Sequence, residues 1–224
     1  MESYNEPENV GFFWSGELDT RNTGGIIKIE RLENFDTTEV HDIVIVTGKL
    51  LPSIEHGNFQ NKSYFFTRGQ AGLDKNWELC HLWAPRFGDE SRVGIMHAPK
   101  ILNQQYQNKC VESWLDQFRT KDGSVLLRTT AKQWCNNYLQ SMKIDGIGKN
   151  LSKKQKEKGT FLKQVAYEIV DCPPGTKNPQ NNASLLGTKI TIDIGPPIRG
   201  LVPKLEITEG KEALGDFIKN IAKK

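Results

Sequence analysis

The stretch from Trp77 to Gln117, WELCHLWAPRFGDESRVGIMHAPKILNQQYQNKCVESWLDQ, constrains the fold of this chain more than any other. It opens with a short apolar run around one histidine, turns through residues 85–91, returns through 93–98 and enters an amphipathic pattern. That order predicts strand, loop, strand, helix. In the first run a period of two sets Leu79, His81 and Trp83 on one face and Cys80, Leu82 and Ala84 on the other. The imidazole is then expected at a half-buried surface, dry enough to stay neutral. In the third piece Ile101, Leu102, Tyr106, Cys110, Trp114, Leu115 and Phe118 recur mostly at three or four. They make an apolar stripe bordered by Gln104, Asn108, Lys109, Glu112 and Asp116. Asn103, Asn108 and Glu112 become oxygen donors near the histidine.

Glu78, His81, Leu82, Phe87 and Gly88, followed by Met96 to Pro99, Asn103, Gln104 and Glu112, form an ordered set. At these residues the segment resembles the DNA/RNA non-specific endonucleases, the histidine–metal (ββα-metal, His-Me finger) nucleases that recur as bacterial toxin domains. The resemblance implies an α+β fold: an antiparallel sheet with a ββα-metal core at about residues 77–118 and flanking helices. It implies a metal-dependent endonuclease cleaving DNA, with RNA left open as a substrate, with little sequence preference and in the role of an antibacterial toxin or effector. His81 then takes a proton from water, Asn103 holds Mg²⁺ or another divalent cation such as Mn²⁺, and Glu112 orients metal waters or polarises a neighbour. Nucleic acid is the implied partner, and the resemblance allows a cognate immunity protein.

The chemistry suits those residue types. Phosphodiester hydrolysis needs an activated water, charge neutralisation on phosphate and stabilisation of the leaving oxygen, which one neutral histidine and one hard cation can supply. Magnesium takes oxygen ligands and keeps several waters, so one Asn oxygen beside a carboxylate is a sufficient protein share. Asn103 and Glu112 are nine residues apart, half a turn out of phase on an α-helix of roughly 3.6 residues per turn. Asn103 is therefore expected to precede the regular helix or to act from its first turn, and Asn108, four before Glu112, is the alternative ligand. Leu79-Cys80 stands where the family usually has Arg-Gly or Gly-Gly, and Gly94 where an Asn is common. These departures motivate an alternative, a non-catalytic nucleic-acid or protein-binding module on the same scaffold. Cys80 and His81 do not suit a nucleophile–base pair, since strand neighbours point to opposite faces. His97 reads as structural, and His41 and His56 fall in polar turns.

The net charge is only +3, but Lys149, Lys153, Lys154, Lys156, Lys158 and Lys163 crowd one stretch. Such a run is a solvated loop or a phosphate-binding track. Lys153 and Lys154 are candidate phosphate contacts, together with Arg86 and Arg68. Arg68 ends a predicted strand a short loop before the histidine. The four cysteines are far apart with no C-x-x-C spacing, which argues against zinc and gives no disulfide framework. No apolar run approaches a membrane span and no Sec-type signal peptide is evident. The protein is expected to be cytoplasmic in its producer, or exported by a dedicated secretion system or a fused upstream region, to act in the target-cell cytoplasm.

Elsewhere, alternation predicts strands at 26–32, 42–51, 63–67, 125–130, 161–170 and 188–194. The first three are expected to form an antiparallel meander carrying the histidine strand. Helices are expected at 133–143 and 210–222, with a loop or short helix at 148–159, and Pro196, Pro197 and Pro203 are read as barring regular structure up to 210. The organisation expected is a lead-in at 1–22, one nuclease-like domain at 23–208 and a C-terminal helix at 209–224.

Overall fold

The computed structural model describes residues 24–33, 40–55, 75–91, 96–135, 161–198 and 200–221. Alternation builds its sheet. Strands β1 (Ile26–Glu33), β2 (Val40–Lys49), β5 (Leu126–Trp134), β6 (Leu162–Asp171), β7 (Lys189–Ile194) and β8 (Leu205–Glu209) form one six-stranded sheet in the order β1-β2-β5-β6-β7-β8. Every neighbouring pair is antiparallel. The register aligns Val46, Thr129, Tyr167 and Ile190 in one row and Val44, Ala131, Val165 and Ile192 in the next. These side chains are all buried, so one face of the sheet is the floor of the core.

On that floor sits a second layer. Strands β3 (Trp77–Cys80) and β4 (Met96–Pro99) pair antiparallel as a separate two-stranded sheet. A continuous helix, α1, follows directly, with a π-helical stretch Leu102–Glu112, an α-helical turn Ser113–Leu115 and a 3-10 turn Asp116–Phe118. Leu102, Cys110, Val111, Trp114 and Leu115 join the sheet residues in one apolar cluster. The Phe87 ring stands edge-on to Tyr167, with centroids 6.4 Å apart. Gly48 admits this layer: a Cβ there would lie 2.8 Å from the Trp83 ring and 2.6 Å from the Gly25 carbonyl oxygen.

The mixed α/β class and the strand–strand–helix order are as expected, with several corrections. The histidine strand is not carried by the β1–β2 meander; β5 pairs with β2 instead. All four residues of β4 are buried, so the hairpin is stable as an inner layer and not as a half-solvated strand of the large sheet. Gln133 and Trp134 do not begin a helix. They extend β5, opposite Leu162 and Val40, and the Trp134 indole donates to the Ile194 carbonyl at 3.2 Å. The prolines do not bar structure up to 210, because β8 begins two residues after Pro203 and buries Ile207. The C-terminal helix is an α-turn, Lys211–Leu214, followed by a 3-10 stretch, Gly215–Asn220. Gly215, at φ 51°, breaks it, yet Leu214, Phe217, Ile218 and Ile221 still pack on the core. His41 falls within β2 rather than in a turn. The expected strand at 63–67 and the lysine run at 148–159 lie outside the described residues. Among the described residues no helix is long and apolar enough to cross a membrane.

Candidate active site

His81 follows β3 directly, so the regular alternation stops one residue short of it. Its neighbours Cys80 and Leu82 are both buried, which anchors the chain on either side of the imidazole. The histidine side chain keeps 21% of its surface exposed while its Nδ1 is buried. The half-buried position matches the expectation, although it arises at a strand exit and not on a strand face.

β3 runs beside α1. Asn103 Nδ2 donates to Glu78 Oε1 at 2.7 Å, and Gln104 Nε2 donates to Glu78 Oε2 at 3.4 Å. The Asn103 amide nitrogen is therefore turned to the carboxylate and its Oδ1 away from it. At the far end of the π-stretch, Glu112 lies close enough to Cys80 to help raise its thiol pKa. Of these two residues of α1, nine apart, Asn103 bonds to β3 and Glu112 acts on it electrostatically. A π-helix closes i→i+5 bonds and takes roughly four and a half residues per turn, so nine residues make about two turns. The winding removes the half-turn mismatch of an α-helix.

Glu112 is buried on α1. Desolvation pushes its carboxyl from the ordinary 4.5 up to about 7, Arg86 opposing and Asp116 reinforcing. One π-turn before it, Gln107 Nε2 donates to the Tyr167 hydroxyl at 2.8 Å. Burial raises the Tyr167 phenol well above its usual range, with Glu112 adding to the effect. Burial likewise pushes the Cys80 thiol well up, with Glu78 and Glu112 adding, so Cys80 stays a thiol and is a poor nucleophile. Burial pushes Cys110 up to about 12. All four cysteines are free.

Arg86 and Asn108 meet each other. From the 3-10 turn Pro85–Phe87, Arg86 Nε donates to both Asp116 carboxylate oxygens at 3.0 and 2.8 Å, and Nη2 donates to Asp116 Oδ2 and to Ser113 Oγ at 3.2 Å. Its Nη1 donates to Asn108 Oδ1 at 2.6 Å and to the Asn108 carbonyl at 3.0 Å. Arg119 adds Nε to Asp116 at 3.3 Å and Nη1 to the Arg86 carbonyl at 3.1 Å. This network ties the loop after His81 to the end of α1. A phosphate on Arg86, or a cation on Asn108, would have to displace part of it. Arg68, Lys153 and Lys154 lie outside the described residues, and His97 is buried beside Phe161, with ring centroids 6.3 Å apart.

One acid pair escaped the sequence reading. Asp89, Glu90 and Ser91 are each fully buried, whereas acids in a loop are ordinarily read as solvated. Asp89 Oδ2 accepts from the backbone amides of Gly25 and Ile26 at 3.1 and 3.0 Å, and Oδ1 from that of Glu90 at 2.8 Å. Glu90 Oε1 lies 3.9 Å from His81 Nδ1. The only sequence signal was two adjacent acids enclosed between apolar strands.

Among the described residues no three His, Cys, Asp or Glu side chains gather as a metal cluster. The oxygen chemistry of Asn103, oriented by Glu78, fits a hard divalent cation that keeps most of its waters.

Fold and site together define a mixed α/β domain in which a buried hairpin and helix hold a histidine, an amide and several carboxyl groups over a sheet. Residues 74–174 match the model of a family described as bacterial toxin 4, which supports a bacterial toxin domain. The matched span runs from just before β3 to just past β6 and contains His81, Arg86, Glu90, Asn103, Asn108 and Glu112. No curated protein and no solved structure matches the chain.

Proposed function

We propose that this toxin domain is a nuclease that hydrolyses phosphodiester bonds of DNA, and of RNA as a second substrate, on a ββα-metal core formed by β3, β4 and α1. The observation that carries the reading is the arrangement around β3: Asn103 is oriented by Glu78 at 2.7 Å, and His81 leaves the strand three residues after Glu78 with Nδ1 buried and part of the side chain exposed. That is the geometry a general base needs beside a phosphate. His81 accepts the proton of the attacking water. Glu78 fixes the Asn103 amide so that Oδ1 is available to a magnesium or manganese ion, which when bound would neutralise charge on the phosphate. Glu112, protonated for part of the time near neutral pH, supports the site from within the core. The π-helical stretch brings Asn103 and Glu112 to the same strand, and such stretches recur at functional sites.

The test is digestion of plasmid and of total RNA by the full chain across a magnesium and manganese series, with EDTA controls. The reading predicts metal-dependent cleavage of at least one substrate without a preferred sequence. Binding to nucleic acid with no cleavage under any metal would favour the non-catalytic module instead, and cleavage unaffected by EDTA would remove the metal from the mechanism.

A further inference from the structure

We infer that Glu90 is a positioning residue for His81, holding the proton on Nδ1 so that Nε2 is the basic nitrogen. This rests on the reading of His81 as the general base. The side chain of Glu90 is fully buried, and its Oε1 lies 3.9 Å from the buried Nδ1 of the same imidazole. The distance is about 1 Å beyond a hydrogen bond, and such contacts commonly tighten when substrate is bound.

The loop around Glu90 is built to hold it there. Asp89, one residue earlier, spends its carboxylate on the amides of Gly25, Ile26 and Glu90 itself. This clamps the Glu90 backbone to the start of β1. Gly88, at φ 86°, turns the chain where a Cβ would come within 2.3 Å of Leu51 Cβ, and the Leu51 amide donates to the Phe87 carbonyl at 3.1 Å. The two adjacent acids therefore do different work, Asp89 fixing the loop and Glu90 facing the histidine. An ionised carboxylate only accepts hydrogen bonds. A carboxylate beside Nδ1 therefore favours the tautomer with the proton on Nδ1, which makes Nε2 the nitrogen that can take a proton from water.

The test uses the full chain with ¹⁵N in its histidine rings, the His81 signals being identified by their loss in His81→Ala. The wild-type spectrum at a pH where His81 is neutral is expected to show the proton on Nδ1. Glu90→Gln, which keeps the shape but can donate to Nδ1, is expected to shift His81 toward the other tautomer. It should also lower kcat at least ~100-fold with KM nearly unchanged, while Glu90→Asp recovers part of the loss. A wild-type proton on Nε2 overturns the inference without any variant, as does a Glu90→Gln protein with the wild-type tautomer and kcat. A chain that cleaves nothing would instead defeat the nuclease reading, and the tautomer measurement would still decide the role of Glu90.

Discussion

Glu112 offers a test of the buried cluster that does not depend on knowing the substrate. Its carboxyl moves from 4.5 in the open chain to about 7 in the folded one, chiefly through desolvation. Each tenfold change in proton affinity is worth about 1.4 kcal/mol, so that displacement amounts to roughly 3 kcal/mol. The sign follows from which state binds the proton more tightly. The folded state does, so the contribution is fully present below about pH 4.5 and is lost as pH rises through about 7, where a charge must be accommodated at a buried position on α1. Glu112→Gln removes the titration. It should match the wild type at pH 4.5 and be more stable at pH 8 by up to roughly 3 kcal/mol. Urea unfolding of both proteins at half-unit steps from pH 4.5 to 8.5 measures this, and the difference between the two cancels every other titrating group. A difference that stays constant with pH would refute the argument and place Glu112 in contact with water or a cation.

Two further outcomes follow from the geometry around α1. Asn103→Ala should raise the magnesium concentration needed for half-maximal cleavage several-fold or more, read from activity against metal concentration; a larger effect from Asn108→Ala would move the ligand one turn along the helix. Arg86→Ala should cost about 1–3 kcal/mol in denaturant unfolding, since it leaves a part-buried Asp116 with Arg119 alone of its two arginines, with little change in affinity for nucleic acid. Unchanged stability with weakened binding would return Arg86 to the phosphate-contacting set.

What the sequence disclosed depended on whether local pattern or tertiary placement decided the outcome. Alternation was enough for β2, β6 and β7, whose burial largely follows a period of two, and the order strand, strand, helix was visible from Glu78, His81 and the apolar stripe that follows. The π-winding of Leu102–Glu112 was not, because the stripe fits a period of 3.6 nearly as well; Gln107 and Val111, absent from that stripe, are buried, while Tyr106 is only partly so. β8 was hidden by the surrounding prolines, and the separation of the hairpin from the main sheet depended on β5 arriving later in the chain to pair with β2. Glu90 was hidden for a related reason. Nothing in an acid pair says that Asp89 will bond to β1 and draw its neighbour inside, since that bond joins residues 63 and 64 positions apart.

The central claim is that the half-buried imidazole of His81 performs the chemistry. Single-turnover cleavage of a labelled duplex and of a labelled single strand, in magnesium, by the wild type and by His81→Ala tests it most directly. The account predicts loss of cleavage by at least ~100-fold, with retained binding and with thermodynamic stability within about 1–2 kcal/mol of the wild type. A His81→Ala protein that cleaves at the wild-type rate would contradict it.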